Sequence, residues 1–224
     1  MNELIFILHT TLIALAALGA AYLGKQALTV FVSLTFVMAN ILVTKQIDLF
    51  GFNVTGTDAF ITGSVLALNL LNEYCGKQAA QRALTTALYS SLFVGMLATL
   101  HLWYIPNMYD TMHEHFALIF AATPRIIAAS LISYFISSSF ENYLYAKLKA
   151  YYEGHYVVAR NFATMSCSQL LDTLLFSFLG LYGMVNNMWH IVLVSYSIKI
   201  ISIIIASPLT AVATFYMKKD HEKL

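Results

Sequence analysis

The sequence predicts an all-α polytopic membrane protein, a bundle of about seven transmembrane helices. Three observations carry that expectation. Of the 224 residues, 59% are hydrophobic and only 10% charged, and the mean hydropathy is +0.72. A soluble domain gives about a quarter of its residues to charge, so the medium facing most of this surface is lipid. Seven apolar windows follow one another along the chain, and the basic residues crowd onto one side of them.

A spanning helix takes roughly 20 mainly apolar residues. Such windows fall at about 4–23, 27–44, 57–75, 84–104, 116–137, 162–181 and 190–216, a six-helix core preceded by an N-terminal helix. The first begins after Met1-Asn2-Glu3, an acidic flank without the positive n-region of a signal peptide. It reads as a retained helix. Gly24-Lys25-Gln26 is all that separates the first two windows and predicts a tight hairpin. The fifth window continues through Phe140-Glu141-Asn142-Tyr143 to Lys149, which predicts an amphipathic extension beyond the bilayer. Three prolines and no Ser/Gly-rich tract leave no linker, so residues 1–224 read as a single transmembrane domain.

Of the twelve Lys and Arg, Arg125 and Lys199 fall inside proposed spans. Seven spans place Lys25, Lys77, Arg82, Lys147, Lys149, Arg160, Lys218, Lys219 and Lys223 on one side and leave Lys45 alone on the other. The loops at 106–115 and 182–189 carry no Lys or Arg. By the positive-inside rule the C-terminus is then cytoplasmic and the N-terminus outside.

Polar side chains at bilayer depth cost several kcal/mol each when charged, so they face cavities and mark function. The third window carries Asp58, Asn69, Asn72 and Glu73, the last three sharing a helix face with Gly76. The sixth has Asn161, Ser168, Gln169, Asp172 and Thr173; the seventh has Ser195, Lys199 and Ser202 at i, i+4 and i+7. The second offers Asn40, and the fifth Arg125, directly after Pro124, with Ser130 and Ser133 beyond. Asp58 and Glu73 sit near helix ends, where a cap or wetted side chain competes with a ligand contact. Asn40 suits interhelical hydrogen bonding equally well, and Asp172 with Lys199 could form a structural ion pair. Five polar faces on five helices nevertheless exceed what packing needs, and a central polar pocket accounts for them together.

Other chemistries find little support. A net charge of +1 and no basic stripe argue against nucleic acid as a partner. Cys75 and Cys167 lack the spacing of a zinc or redox pair and read as small apolar side chains. Asp110, His113, Glu114 and His115 lie on a loop without the i, i+4 geometry of a helical zinc site. No phosphate-binding loop, dinucleotide fingerprint, H-E-x-x-H or G-x-S-x-G occurs. No cofactor or metal is expected, and the chain carries no ATP-hydrolysing machinery of its own.

With these residues on the page, the sequence resembles the queuosine precursor transporter family, also described as vitamin uptake transporter-like. The resemblance rests on Asn40-Ile41-Leu42…Lys45, on Asn69-Leu70-Leu71-Asn72-Glu73-Tyr74-Cys75-Gly76-Lys77 followed by Arg82, and on Pro124-Arg125-Ile126…Ser130. It continues with Arg160-Asn161…Ser168-Gln169-Leu170-Leu171-Asp172-Thr173…Phe176 and with Tyr196…Lys199. It implies import of a 7-deazaguanine such as preQ0, preQ1 or queuine for the modified tRNA base queuosine, through the bacterial inner membrane. The family usually has Asp where this chain has Asn69 and commonly Tyr where it has Cys75, a departure that implies a different choice of precursor if the Asp touches ligand.

A guanine-like edge presents two adjacent donors, which one carboxylate can accept as a bidentate pair. Asp172 is the first choice for that role and Glu73 the second. Lys199, Arg125, Gln169 and Asn40 are candidate donors to the base carbonyl, Phe176 and Tyr196 candidate stacking rings, and Asn69 a candidate for tuning selectivity. An alternative is a substrate-binding subunit of an ATP-driven importer. The small faces Ala16-x-x-x-Ala20 and Ala17-x-x-x-Ala21 suit close helix packing, within the chain, in a homodimer or against such a partner. A membrane-embedded enzyme is the remaining alternative, and no nucleophile–base pair or metal triad supports it.

Overall fold

The structure, a computed structural model, describes residues 1–153, 157–201 and 204, without the side chains at 73, 149 and 157–161. Most of the last apolar window beyond Ile201, with Ser202 and the three C-terminal lysines, lies outside the described residues. So do the side chains of Glu73, Lys149, Arg160 and Asn161.

The chain runs α1 (Asn2–Leu23), α2 (Lys25–Leu42), β1 (Gln46–Leu49), β2 (Phe52–Thr55), α3 (Asp58–Cys75), α4 (Lys77–His101), α5 (His113–Phe120), α6 (Thr123–Tyr151) and α7 (Val157–Phe176). A π-turn, Ser177–Leu181, ends α7, and α8 (Met188–Ile201) follows. Among the described residues five apolar stretches are long enough to cross a bilayer: α1, α2, α4, α5 with α6, and the α7–π segment. α3 and α8 occupy the two remaining windows. α3 has the length, 18 residues, but spends four positions on Asp58, Asn69, Asn72 and Glu73. The molecule is a helical membrane bundle.

Two glycines set its antiparallel pairs. Gly24 alone joins α1 to α2 with φ 101, and Gly76 alone joins α3 to α4 with φ 81. A left-handed φ is cheap only without a Cβ, so each helix stops and reverses within one residue. α5 and α6 are parted at Ala121-Ala122, and Pro124 sits in the first turn of α6, where a missing N–H costs nothing. The fifth window is therefore two helices, and α6 runs on without a break through 140–149 to Tyr151.

The outer faces carry Leu4, Ile7, Leu8, Leu12 and Leu15 on α1 and Leu92, Phe93, Met96 and Leu100 on α4, all exposed. Water would not tolerate such a surface, whereas lipid does. The core uses small residues instead. Ala17, Ala20 and Ala21 of α1 pack with Leu28 and Val32 of α2 and Leu66, Ala67 and Leu70 of α3. The small-residue face of α1 that includes Ala17 and Ala21 is thus spent on internal packing. Many hydroxyls are satisfied within their own helices: Thr29, Thr85, Thr86, Thr99 and Ser197 each donate to the carbonyl four residues back. This is the way to keep a hydroxyl in hydrocarbon.

The segment between α2 and α3 forms an antiparallel hairpin, which the hydropathy windows do not anticipate. Leu49 pairs with Phe52 across a two-residue turn, with Phe50 and Gly51 both at positive φ, 50 and 82. This is the primed turn that matches strand twist. Leu49 and Val54 are buried with Val194 of α8, and Phe6, Ile47, Phe52 and Ile198 surround them. Gln46 Nε2 donates to the Met184 carbonyl at 3.0 Å, and Asn2 Nδ2 to the Asp48 carbonyl at 2.9 Å. The hairpin thereby closes one end of the bundle, tied to α1, α8 and the turn after α7.

Candidate functional site

A cavity of about 330 Å³ lies between α2, α3, α6, α7 and α8, with the start of α4 at one end. Each helix contributes a stripe at its own period. α2 supplies Val32, Phe36, Asn40 and Val43; α3 supplies Asp58, Ile61, Val65 and Leu68; α6 supplies Ser130, Tyr134, Ser137 and Glu141. From α7 come Gln169, Asp172, Thr173 and Phe176, and from α8 Ile191, Ser195 and Lys199. Spacings of three and four place these side chains on one face of each helix. The lining runs from Thr55 and Thr57 beside the hairpin to Lys77 and Gln81 beside the Gly76 junction. It thus extends along the bundle axis.

At its centre Lys199 Nζ donates to Asp172 Oδ2 at 2.8 Å and to Thr173 Oγ1 at 3.0 Å. The two charged side chains are 11% and 26% exposed. Ser137 Oγ lies 3.5 Å from Asp172 Oδ1, at the outer limit of a hydrogen bond. Nearer the hairpin, Asp58 is 4% exposed, and Ser195 Oγ donates to its Oδ2 at 3.0 Å. Ser195 and Lys199 are one turn apart on α8, so the two carboxylates hang from successive turns of the same helix.

Of the residues singled out in the sequence, Asp172, Lys199, Gln169, Asn40 and Phe176 line the cavity together. Asn40 does so while bracing the wall: its Nδ2 donates to Ser91 Oγ and its Oδ1 accepts from Ser130 Oγ, both at 2.9 Å. Arg125 stands elsewhere. Its Nε donates to the Leu179 carbonyl and its Nη2 to the Tyr182 carbonyl, each at 2.8 Å, capping the π-turn with a guanidinium fork. Freed carbonyls at the end of α7 draw it there. Tyr196 follows Ser195 and Asn69 follows Leu68, each roughly 100° round its helix from a lining residue. Neither lines the cavity. The Glu73 side chain lies outside the description.

Sequence reading left Asp58 between a cap and a ligand contact, placed Ser195 on a polar helix face without a named role, and passed over Phe36, Tyr134 and Ser137. Ser130, Ser133 and Ser137 recur at i, i+3 and i+7 across the apolar middle of α6, a signal that extends one step beyond the serines singled out. Asp110 Oδ1 accepts from the Met112 and His113 amides at 2.8 and 3.1 Å, which opens α5.

Comparison with known proteins places this geometry in context. A curated protein of Bacillus subtilis (strain 168), named "Probable queuosine precursor transporter", is 27% identical over 202 residues, which span 88% of this chain and 87% of that protein. No solved structure matches. The family model described as "Putative vitamin uptake transporter" matches residues 56–213, a stretch that takes in α3 to α8 and with them the Asp58, Asp172 and Lys199 lining. The chain belongs to that family of membrane transporters.

Proposed function

We propose that this chain imports 7-deazaguanine precursors of queuosine, such as preQ0, preQ1 or queuine, through the cell membrane. The Asp172–Lys199 pair carries the reading. Asp172 Oδ2 is taken by Lys199, which leaves Oδ1 with one long contact from Ser137. An ammonium has three donors, and two of those on Lys199 are used, on Asp172 and Thr173. The pair therefore offers an acceptor beside a donor. A guanine-like edge offers the complement, amide and amine donors beside a carbonyl. Phe176, Phe36 and Tyr134 supply apolar ring faces around it. Small-molecule pockets span roughly 300–1,000 Å³, and this cavity stands at the lower end, suited to a base without a bulky sugar. The name of the Bacillus relative agrees with the reading.

The basic residues supply the direction of insertion. The Gly24 and Gly76 junctions, flanked by Lys25 and Lys77, face the cytoplasm and the hairpin faces outward. In a cysteine-free background, single cysteines at Asn107 and Gln78 should react with an impermeant thiol reagent from opposite sides of the membrane. Reaction of both from one side overturns the orientation. Uptake of labelled preQ0, preQ1 and queuine by cells lacking their own importer tests the substrate. Accumulation above vector controls of at least one supports it, and accumulation of none overturns it.

A further inference from the structure

The cavity holds a carboxylate that the Asp172–Lys199 pair does not satisfy. Asp58 opens α3 at the hairpin end, 4% exposed, and lines the cavity. Its Oδ2 accepts from Ser195, while its Oδ1 has no hydrogen-bond donor and the carboxylate no ion-pair partner among the described residues. Lys199 lies one turn beyond Ser195 on α8, but its hydrogen bonds go to Asp172 and Thr173. Three acids (Asp58, Glu141, Asp172) and two lysines (Lys77, Lys199) line the cavity, a formal excess of one negative charge. Lys77 is exposed and Glu141 half-buried, both toward the Gly76 end, so the uncompensated charge resides at Asp58.

A carboxylate withdrawn from water needs a countercharge or a proton. Ser195 gives it a hydrogen bond and an orientation but no charge. One helical turn of α8 separates Ser195 from Lys199, on the order of 6 Å along the axis. A bicyclic base held by its edge at Asp172 and Lys199 can therefore extend a short substituent to Asp58. We infer that Asp58, oriented by Ser195, is the counter-charge for a primary ammonium on the substrate, so that this chain favours a cationic aminomethyl 7-deazaguanine over the neutral nitrile form. The inference rests on the deazaguanine reading and goes beyond it in naming the charge of the preferred substrate and the residue that selects it.

The test is competition binding to the full-length protein in lipid nanodiscs, with the aminomethyl and the nitrile 7-deazaguanine as probes. The wild type should bind the aminomethyl form at least about tenfold more tightly, the scale set by a buried charged hydrogen-bonding partner. Asp58→Asn, which keeps an acceptor for Ser195, should lower affinity for the aminomethyl form at least about tenfold more than for the nitrile form. Asp58→Glu, which keeps the charge, should retain the cationic preference. Equal affinities in the wild type, a preference for the nitrile, or a ratio unmoved by Asp58→Asn each overturn the inference while leaving the deazaguanine reading in place. Binding of neither base overturns the inference, and the uptake assay with queuine then decides the deazaguanine reading. The wild-type ratio decides by itself if Asp58→Asn does not fold.

Discussion

Lys199 of α8 holds Asp172 of α7 at 2.8 Å in the middle of the bundle, with Thr173 as a second acceptor for the ammonium. The contact joins α7 to α8, and it fixes the orientation in which the carboxylate meets the cavity. Removing one member of a buried pair costs about 3–5 kcal/mol because the other charge is stranded. Here the figure falls toward the lower end, since Asp172 is 26% exposed. Asp172→Asn and Lys199→Met should therefore each reduce both the amount of folded protein and uptake. The double variant should restore the protein, because no charge is left unpaired, and should not restore uptake, because the base has lost its partners. Immunoblots of membranes beside uptake per molecule separate the two. Transport by the double variant at near wild-type rate would take the pair out of the site.

Asn40 clamps three helices through Ser91 and Ser130, both at 2.9 Å. Interhelical hydrogen bonds in bilayers are worth about 0.6–2 kcal/mol each. Asn40→Ala should cost about 1–3 kcal/mol and lower the melting temperature of the purified protein by several degrees, while Ser91→Ala alone should cost less than half as much. A melting temperature unchanged in Asn40→Ala would mean that the clamp is not formed.

Gly95 of α4 lies against Thr123 and Ile127 of α6, where a Cβ would press on the Ile127 side-chain terminus and come within 3.3 Å of Thr123. The first obstacle is the end of a flexible side chain and can turn away, so Gly95→Ala should cost only about 1 kcal/mol. Gly95→Leu has no such escape and should push α4 from α6, leaving little folded protein in detergent by gel filtration. Normal recovery of the leucine variant would show that the two helices are not held in close contact.

Asn69→Asp installs the acid that the family resemblance implies at this position, and selectivity is where it would tell if the side chain met the substrate. Asn69 lies off the cavity face of α3, whose lining runs through Ile61, Val65 and Leu68. The ratio of aminomethyl to nitrile form bound should therefore stay within about twofold of wild type, in contrast to Asp58→Asn, since a charge outside the cavity is paired or screened locally. A shift toward the cationic form in Asn69→Asp would assign the residue to the substrate path.

The sequence by itself determined the solvent and the helices. An apolar majority with one residue in ten charged leaves lipid as the medium, and a backbone in lipid must satisfy its hydrogen bonds within helices. Residues such as Gly24 and Gly76 then dictate where the chain reverses. Asp172, Gln169 and Lys199 were legible as cavity residues because an ionisable group at mid-bilayer needs a polar neighbour. Tertiary structure decided which face of each helix meets the others. Arg125 reads as a substrate donor until its guanidinium is seen on the Leu179 and Tyr182 carbonyls. Those acceptors are 54 and 57 residues away and leave no mark in the local pattern. The hairpin at 46–55 escaped a hydropathy average of about 20 residues because its alternation has period two. Asp58 reads by position as a cap or a ligand contact alike, and only the approach of Ser195, 137 residues later, shows which group it meets at the cavity wall. Helix periodicity fixes what each helix can offer; which offers meet is set by long-range packing, in which Ala17 and Gly95 let neighbouring helices come close enough to choose.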